Sequence, residues 1–289
     1  PVAREKFDGT ALKVTVNGLR GGHSGEMINR GRANSSMLIG RALDVLDGVC
    51  DMRVVSVDGG LKDNAIPVES FAVVVVSDEK KAREALEKFG DDLKNEYRTP
   101  DPDVTLCVES AAPTVLPMTN ADSEKVVTLL TCMPNGLIEL SMDVAGLPQT
   151  SLNLGILTTS ENEVSASFCV RSSVSSQKEM LKKRLTRMTA LLGGTVSYFG
   201  EYPAWEFKSD SPILKLCADV YEKKFGKKPV ITAIHGGLEC GLFSEKMPGL
   251  DCVSFGPDIF DIHTPREKLS VSSLNRTWEF LLEVLKEMK

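Results

Sequence analysis

Residues 11 to 17, Ala-Leu-Lys-Val-Thr-Val-Asn, alternate apolar and polar side chains with the period of two that a half-buried strand requires. The glycine-rich stretch Gly21-Gly22-His23-Ser24-Gly25 follows, and a helix is predicted from about Ser24 or Gly25. Its apolar positions Met37, Leu38, Ala42, Leu43, Val45 and Leu46 recur at helical spacing until Gly48 ends the run. Strands are then expected at about 52 to 58 and 68 to 76, separated by a Gly59-Gly60 turn and the loop Lys62 to Pro67. Ser77 would cap a charged helix reaching Tyr97, and a strand at Val104 to Glu109 would close the unit.

The rhythm repeats after Pro117. Asn120 is placed to cap a helix over 121 to 132, and strands follow near 136 to 143, 150 to 158 and 163 to 172, then a helix and a further strand. That last helix opens with Ser176 and Glu179 in capping-box spacing and ends at Gly193-Gly194. Two βαβ-like halves of little mutual identity suit an antiparallel or mixed sheet covered by helices, an α+β domain. Past Tyr202-Pro203 the pattern changes. Ile213, Leu214, Cys217, Val220, Tyr221 and Phe225 make one helical face, ended by Gly226. A strand at 229 to 234, a helix at 238 to 246, a strand at 251 to 255 and a helix from about Ser273 alternate as in a parallel α/β sheet. Two strands are too few for such a sheet, which typically carries about five. The rest of that domain is expected upstream of Pro1, and the start Pro1-Val2-Ala3-Arg4, without an initiator methionine, reads as the edge of a fragment.

Composition narrows the class. With 42% hydrophobic and 26% charged residues the chain reads as an ordinary soluble protein large enough for two cores. A net charge of −6 argues against a nucleic-acid partner. Seven scattered cysteines with no C-x-x-C pair indicate neither a disulfide framework nor a zinc finger, and point to a reducing compartment. Neither a membrane-spanning apolar run nor a signal peptide is present in the sequence, so the expected location is the cytoplasm.

All three histidines sit in loops of small residues or proline: Gly22-His23-Ser24, His235-Gly236-Gly237 and Ile262-His263-Thr264-Pro265. Such loops leave an imidazole free to reach a ligand or metal. His263 follows a predicted strand end, where α/β sheets build their sites, with Asp258 and Asp261 near enough to orient it. Either a metal ligand or a surface-loop histidine fits that position. Gly236 and Gly237 form a strand-to-helix turn open to an anion, and Glu239 in the next helical turn either lines that site or complements the helix dipole. The imidazole of His23 could donate to a developing oxyanion. No serine stands in a G-x-S-x-G setting and no G-x-x-x-x-G-K-[ST] loop exists, which removes the main supports for serine hydrolase and P-loop chemistry.

Five segments taken together carry a resemblance. They are Gly18-Leu19-Arg20-Gly21-Gly22-His23-Ser24-Gly25 with Arg30 to Asn34, Gly59-Gly60 to Pro67, Val170-Arg171-Ser172-Ser173, His235 to Gly241, and Gly256-Pro257-Asp258 to Pro265. In this order they resemble the cytosolic aminoacyl-histidine dipeptidases of the zinc metallopeptidase family that includes carnosinases and amino-acid deacylases. The resemblance implies an α/β catalytic domain interrupted by a lid. Residues 1–9 would be the end of the catalytic domain or a linker, 10–205 a substrate-binding and dimerisation lid with a mixed sheet of two βαβ-like halves, and 206–289 the C-terminal portion of a parallel α/β catalytic domain. By the same resemblance His263 would be the last zinc ligand and His23 the lid histidine that stabilises the tetrahedral intermediate. Asn64 and Arg171 would hold the substrate, with Arg171 gripping its C-terminal carboxylate. Gly236, Gly237 and Glu239 would line the pocket.

The expected activity is hydrolysis of dipeptides, of Xaa-His type, by water activated on two zinc ions, with a small peptide as substrate and a homodimer as the assembly. The family's H-x-D motif and paired Glu-Glu are not in this sequence, so the chain alone is expected to bind the zinc pair incompletely and to be inactive. The alternatives are a related deacylase or tripeptidase, and a non-catalytic binding protein derived from the family.

Overall fold

The computed structural model describes residues 1–235, 238–261 and 266–288. Its first unit is built from β1 (Thr10–Asn17), β2 (Gly22–His23), α1 (Ser35–Asp47), β3 (Met52–Gly59), β4 (Ala65–Ile66) and β5 (Ser70–Val76). It continues through α2 (Glu79–Glu96), β6 (Thr105–Ser110), α3 (Asn120–Cys132), β7 (Gly136–Leu140), β8 (Pro148–Thr159), β9 (Val164–Ser172) and α4 (Ser175–Leu191). The C-terminal unit holds α5 (Pro212–Phe225), α6 (Glu239–Lys246), β10 (Ile259–Phe260), β11 (Lys268–Leu269) and α7 (Val271–Glu287).

One seven-stranded sheet runs β6-β1-β5-β3-β8-β7, with β9 paired to β8 as well. Every ladder in it is antiparallel. The two predicted halves are therefore one continuous sheet, joined where Gly59 of β3 meets Leu157 of β8. The alternation read in β1 has a direct cause: Leu12, Val14 and Val16 are fully buried, as are Val54, Ala72 and Val74 of the neighbouring strands. Against them α1 packs Ile39, Leu43 and Leu46, α2 packs Leu86 and Leu93, and α3 packs Leu130. Burying an aliphatic side chain of this size is worth about 2 kcal/mol, so this face fixes the register of the strands that carry the site. A smaller cluster, Met133, Leu152, Leu181 and Leu185, seats α4 under β8. In the C-terminal unit α5 and α7 meet through Cys217, Val220, Phe280 and Val284, with Tyr221 edge-on to Phe280.

Several boundaries differ from the sequence expectation. The first helix begins at Ser35 rather than Ser24 or Gly25 because Asn34 caps it, its Oδ1 accepting from the backbone N–H groups of Ser36 and Met37. Asp78 rather than Ser77 caps α2, through the amide of Lys81. Thr119 rather than Asn120 caps α3, through the amide of Asp122. At α4 the expected capping box does not form, and the helix starts after Val174 without a side-chain cap. No strand follows α4 directly among the described residues, where 195–199 is irregular.

The strands expected at 229–234 and 251–255 are likewise not formed. Their apolar character is real, but a strand requires a ladder partner, and among the described residues no backbone N–H of 230–234 or 252–256 donates a hydrogen bond. These two segments line a cavity of about 450 Å³ with Trp205, Tyr221 and Phe280, and Val230 is left 91% exposed. No described helix is long and apolar enough to cross a membrane.

Candidate substrate-carboxylate site

The glycine-rich loop after β1 is held at both ends by one carboxylate. Asp101, fully buried, accepts the backbone N–H of Arg20 on one oxygen and that of Ala33 on the other, both at 2.7 Å. Between these anchors Gly22 adopts φ of 132°, a region closed to residues with a β-carbon, and the Arg32 guanidinium donates to the carbonyl of Gly21. The result is the two-residue strand β2, in which Gly22 pairs with Ile66 and His23 with Ala65 of β4. His23 is thereby presented on an exposed rim.

The loop carrying β4 is pinned from the sheet. Asn153 of β8, 1% exposed, donates from Nδ2 to the carbonyls of Asp63 at 3.0 Å and Ala65 at 2.8 Å. Asn34 closes the same network, its Nδ2 reaching Asn153 Oδ1 and the carbonyl of Leu154. Gly155 permits the approach, since a β-carbon there would stand 2.4 Å from the Asp63 backbone. Asn64 sits in this loop, with its carbonyl accepting the Ser24 N–H at 2.9 Å and its side-chain amide making no hydrogen bond to another described residue.

Arg171 enters from β9, where it faces Ser151 of β8 across the ladder. The space of a β-carbon on Gly25 lies 3.0 Å from Cε1 of His23 and 3.5 Å from Cζ of Arg171, so the imidazole and the guanidinium converge on one point. Arg171 makes no ion pair among the described residues, and its buried Nε has no hydrogen-bond partner there. A third nitrogen base closes the cluster. His235, 3% exposed, places Nε2 at 3.0 Å from the Ser151 hydroxyl. Burial, then the charge of Arg171, then that of His23 push its pKa down to about 4, so His235 is neutral at physiological pH. Among the described residues the cluster presents one permanent cation without a carboxylate partner, a neutral hydrogen-bonded imidazole and an exposed imidazole, which is the chemistry of an anion site.

His23, Asn64 and Arg171 are thus brought together. Glu239 is not joined to them: it is exposed in the first turn of α6 and makes no hydrogen bond or ion pair with another described residue, the position in which a carboxylate complements the helix dipole. Gly236, Gly237 and His263 lie outside the described residues. Among the described residues no group of three or more His, Cys, Asp or Glu side chains could hold a metal ion, so the donors on view do not fit a dinuclear centre. Ser151, Asn153 and Asp101 are not singled out by sequence reasoning. No sequence signal singles out Ser151 and Asn153, since β8 also carries the polar Gln149, Thr158 and Thr159.

Comparison with known proteins places this geometry in context. The profile of Peptidase family M20/M25/M40 matches residues 40–287. The cytosol non-specific dipeptidase of Escherichia coli K12 is 34% identical over 279 residues, covering 96% of this chain and 58% of that protein. The crystal structure of aminoacylhistidine dipeptidase from Vibrio alginolyticus superposes with a TM-score of 0.91 at 35% identity, over 100% of this chain and 60% of that one. The chain therefore spans 58% and 60% of the lengths of these two relatives.

Proposed function

The chain belongs to peptidase family M20/M25/M40, and from that premise we propose that it is the substrate-holding part of a metal-dependent dipeptidase acting in the cytoplasm. In this reading residues 10–205 are the lid and residues 206–289 a portion of the catalytic domain. The observation that carries the proposal is the convergence of His23 and Arg171 beside neutral His235, with Arg171 lacking an acidic partner among the described residues.

A dipeptide ends in a carboxylate, and a guanidinium without a partner accepts one through two parallel N–H···O bonds. The half-buried setting of Arg171 strengthens that contact by removing competing water. The side-chain amide of Asn64 would hold the peptide group, and His23, on the rim, would donate to the oxygen that gains charge as the carbonyl is attacked. The Ser151 hydroxyl holds the neutral His235 ring, so a second full charge does not crowd Arg171 at neutral pH. The names of the two relatives support a dipeptide substrate, and that of the Escherichia coli protein a cytosolic setting. Two zinc ions, with His263 among their ligands, a preference for Xaa-His and a homodimeric assembly are the finer parts of the proposal. Since the described residues do not form a metal centre, the roles assigned to His23, Asn64, Arg171 and His235 rest on their own side-chain chemistry alone.

The test compares binding of a dipeptide and its C-terminal amide to the protein and to Arg171→Met by calorimetry. The free acid should bind at least tenfold more tightly than the amide, and the variant should lose that discrimination while leaving amide binding unchanged. Equal affinity for acid and amide in the parent protein would overturn the assignment of Arg171. Hydrolysis of dipeptides, tripeptides and N-acyl amino acids by the whole enzyme tests the reaction class. Preference for an acylated amino acid would reject the dipeptidase in favour of a deacylase.

A further inference from the structure

All seven cysteines are free thiols, and two of them, Cys240 and Cys252, lie side by side although 12 positions apart in sequence. Cys240 is the second residue of α6, and Ser244 follows it by one turn on the same helical face. Over that face lies Cys252, its Sγ accepting from Ser244 Oγ at 3.8 Å, a neighbour of Cys240 close enough to raise that thiol's pKa. Both thiols are half-buried, within reach of a small reagent. The stretch bearing Cys252 is not tied into a ladder, since no backbone N–H from 252 to 256 donates a hydrogen bond among the described residues. That freedom matters because two neighbouring sulfurs must close to about 2 Å to bond.

We propose that Cys240 and Cys252 form a redox-modifiable dithiol, which closes to an intramolecular disulfide on reaction with a low-molecular-weight disulfide such as oxidised glutathione. One thiolate attacks a sulfur of the oxidant, breaking its S–S bond and releasing one glutathione thiolate. The second thiolate then displaces the other glutathione from the mixed disulfide. Two protein thiols lose two protons and two electrons, and the oxidant is reduced to two thiols. The cross-link would tie the start of α6, one residue past Glu239, to the segment that follows the helix. This site is independent of the peptidase assignment.

Burial, then the neighbouring Cys252, then the charge of Glu239 hold the Cys240 thiol above its ordinary range. The reactive thiolate is therefore scarce at neutral pH, and the rate of closure should rise roughly tenfold per pH unit between 7 and 8.

The experiment incubates the reduced protein with oxidised glutathione, blocks the remaining thiols, digests with trypsin without reduction and maps the peptides by mass spectrometry. The expected product links the peptide spanning 228–246 to that spanning 247–266. In Cys252→Ser the link is lost and Cys240 is recovered as a glutathione adduct or a free thiol, and in Cys240→Ser the same holds for Cys252. Recovery of Cys240 and Cys252 from the parent protein only as free thiols or as separate adducts overturns the proposal. So does modification confined to the exposed Cys107 and Cys132.

Discussion

Lowering the pH from 7 to 5 should cost the folded chain about 2 kcal/mol through one side chain, His235. Its pKa lies near 4 in the folded protein, against 6.5 for an ordinary histidine. Between those values the unfolded chain binds a proton that the native state refuses, so stability falls as pH drops through this window and is flat above it. At about 1.4 kcal/mol per unit of displacement the full loss approaches about 3 kcal/mol below pH 4, of which about 2 kcal/mol is incurred by pH 5. Because the residue is only 3% exposed, solvent screens little of this cost. His235→Gln provides the control, since the amide can still hydrogen-bond Ser151 but does not titrate. Urea unfolding of both proteins at pH 7, 6 and 5 should show the parent losing about 2 kcal/mol relative to the variant. Parallel curves would refute the reasoning, as would an NMR titration of the His235 ring with a midpoint near 6.5.

Three further outcomes follow from contacts around the site. Ser151→Ala leaves Nε2 of a buried imidazole unpaired and should destabilise the chain by about 1–3 kcal/mol. A change in urea midpoint equivalent to less than about 0.5 kcal/mol, the lower end for a net hydrogen bond, would show that the contact does not anchor His235. Asp101→Asn sets an amide N–H₂ against a backbone N–H in place of an acceptor and should cost about 2 kcal/mol or more. The same variant should weaken dipeptide binding because the loop presenting His23 loses an anchor, and unchanged stability would contradict the geometry. Amides of 230–234 and 252–256 should exchange hydrogen at nearly unprotected rates in this chain, while those in the centre of β8 are protected, as measured by exchange mass spectrometry.

The parts of the fold legible in the sequence are those whose partners are close and whose pattern is two-sided. β1, β3 and β5 alternate because one face meets α1 and α2, and the structure pairs them along that face. The start of α1 is harder to read because Ser24 and Asn34 are both competent caps. What decides between them is Asp101, 68 positions from Ala33, holding the intervening residues out of a helix. The stretches 229–234 and 251–255 show the limit of hydrophobic pattern: their apolar content favours burial, yet Val230, Ile231 and Ile234 are exposed, and a strand also needs a neighbour for its backbone. In the site, His23 and Arg171 stand out through glycine context and motif. Ser151 and Asn153 are silent because their partners, His235 and the loop at 63–65, lie more than eighty positions away.

Those silent residues explain why an arginine can stand without an acid among the described residues. Among the described residues the Nε of Arg171 and the Oγ of Ser24 are buried and without a hydrogen-bond partner, a state that costs about 1–3 kcal/mol for each polar group. A chain so arranged tends to collapse onto its own polar atoms unless the frame resists. Here Asn34 and Asn153 fasten the loop at 63–65 to β8, Asp101 fastens both ends of the loop that carries His23, and the buried polar groups of this frame meet backbone partners rather than the guanidinium. The neighbouring imidazole of His235 is kept uncharged and occupied by Ser151. On the proposed reading the cost of the open cation is retained until a substrate carboxylate enters, and the free energy returned on pairing would go to affinity and orientation of that anion. A carboxylate supplied by the fold itself, in an ion pair with Arg171, would have stabilised the free chain and removed this capacity.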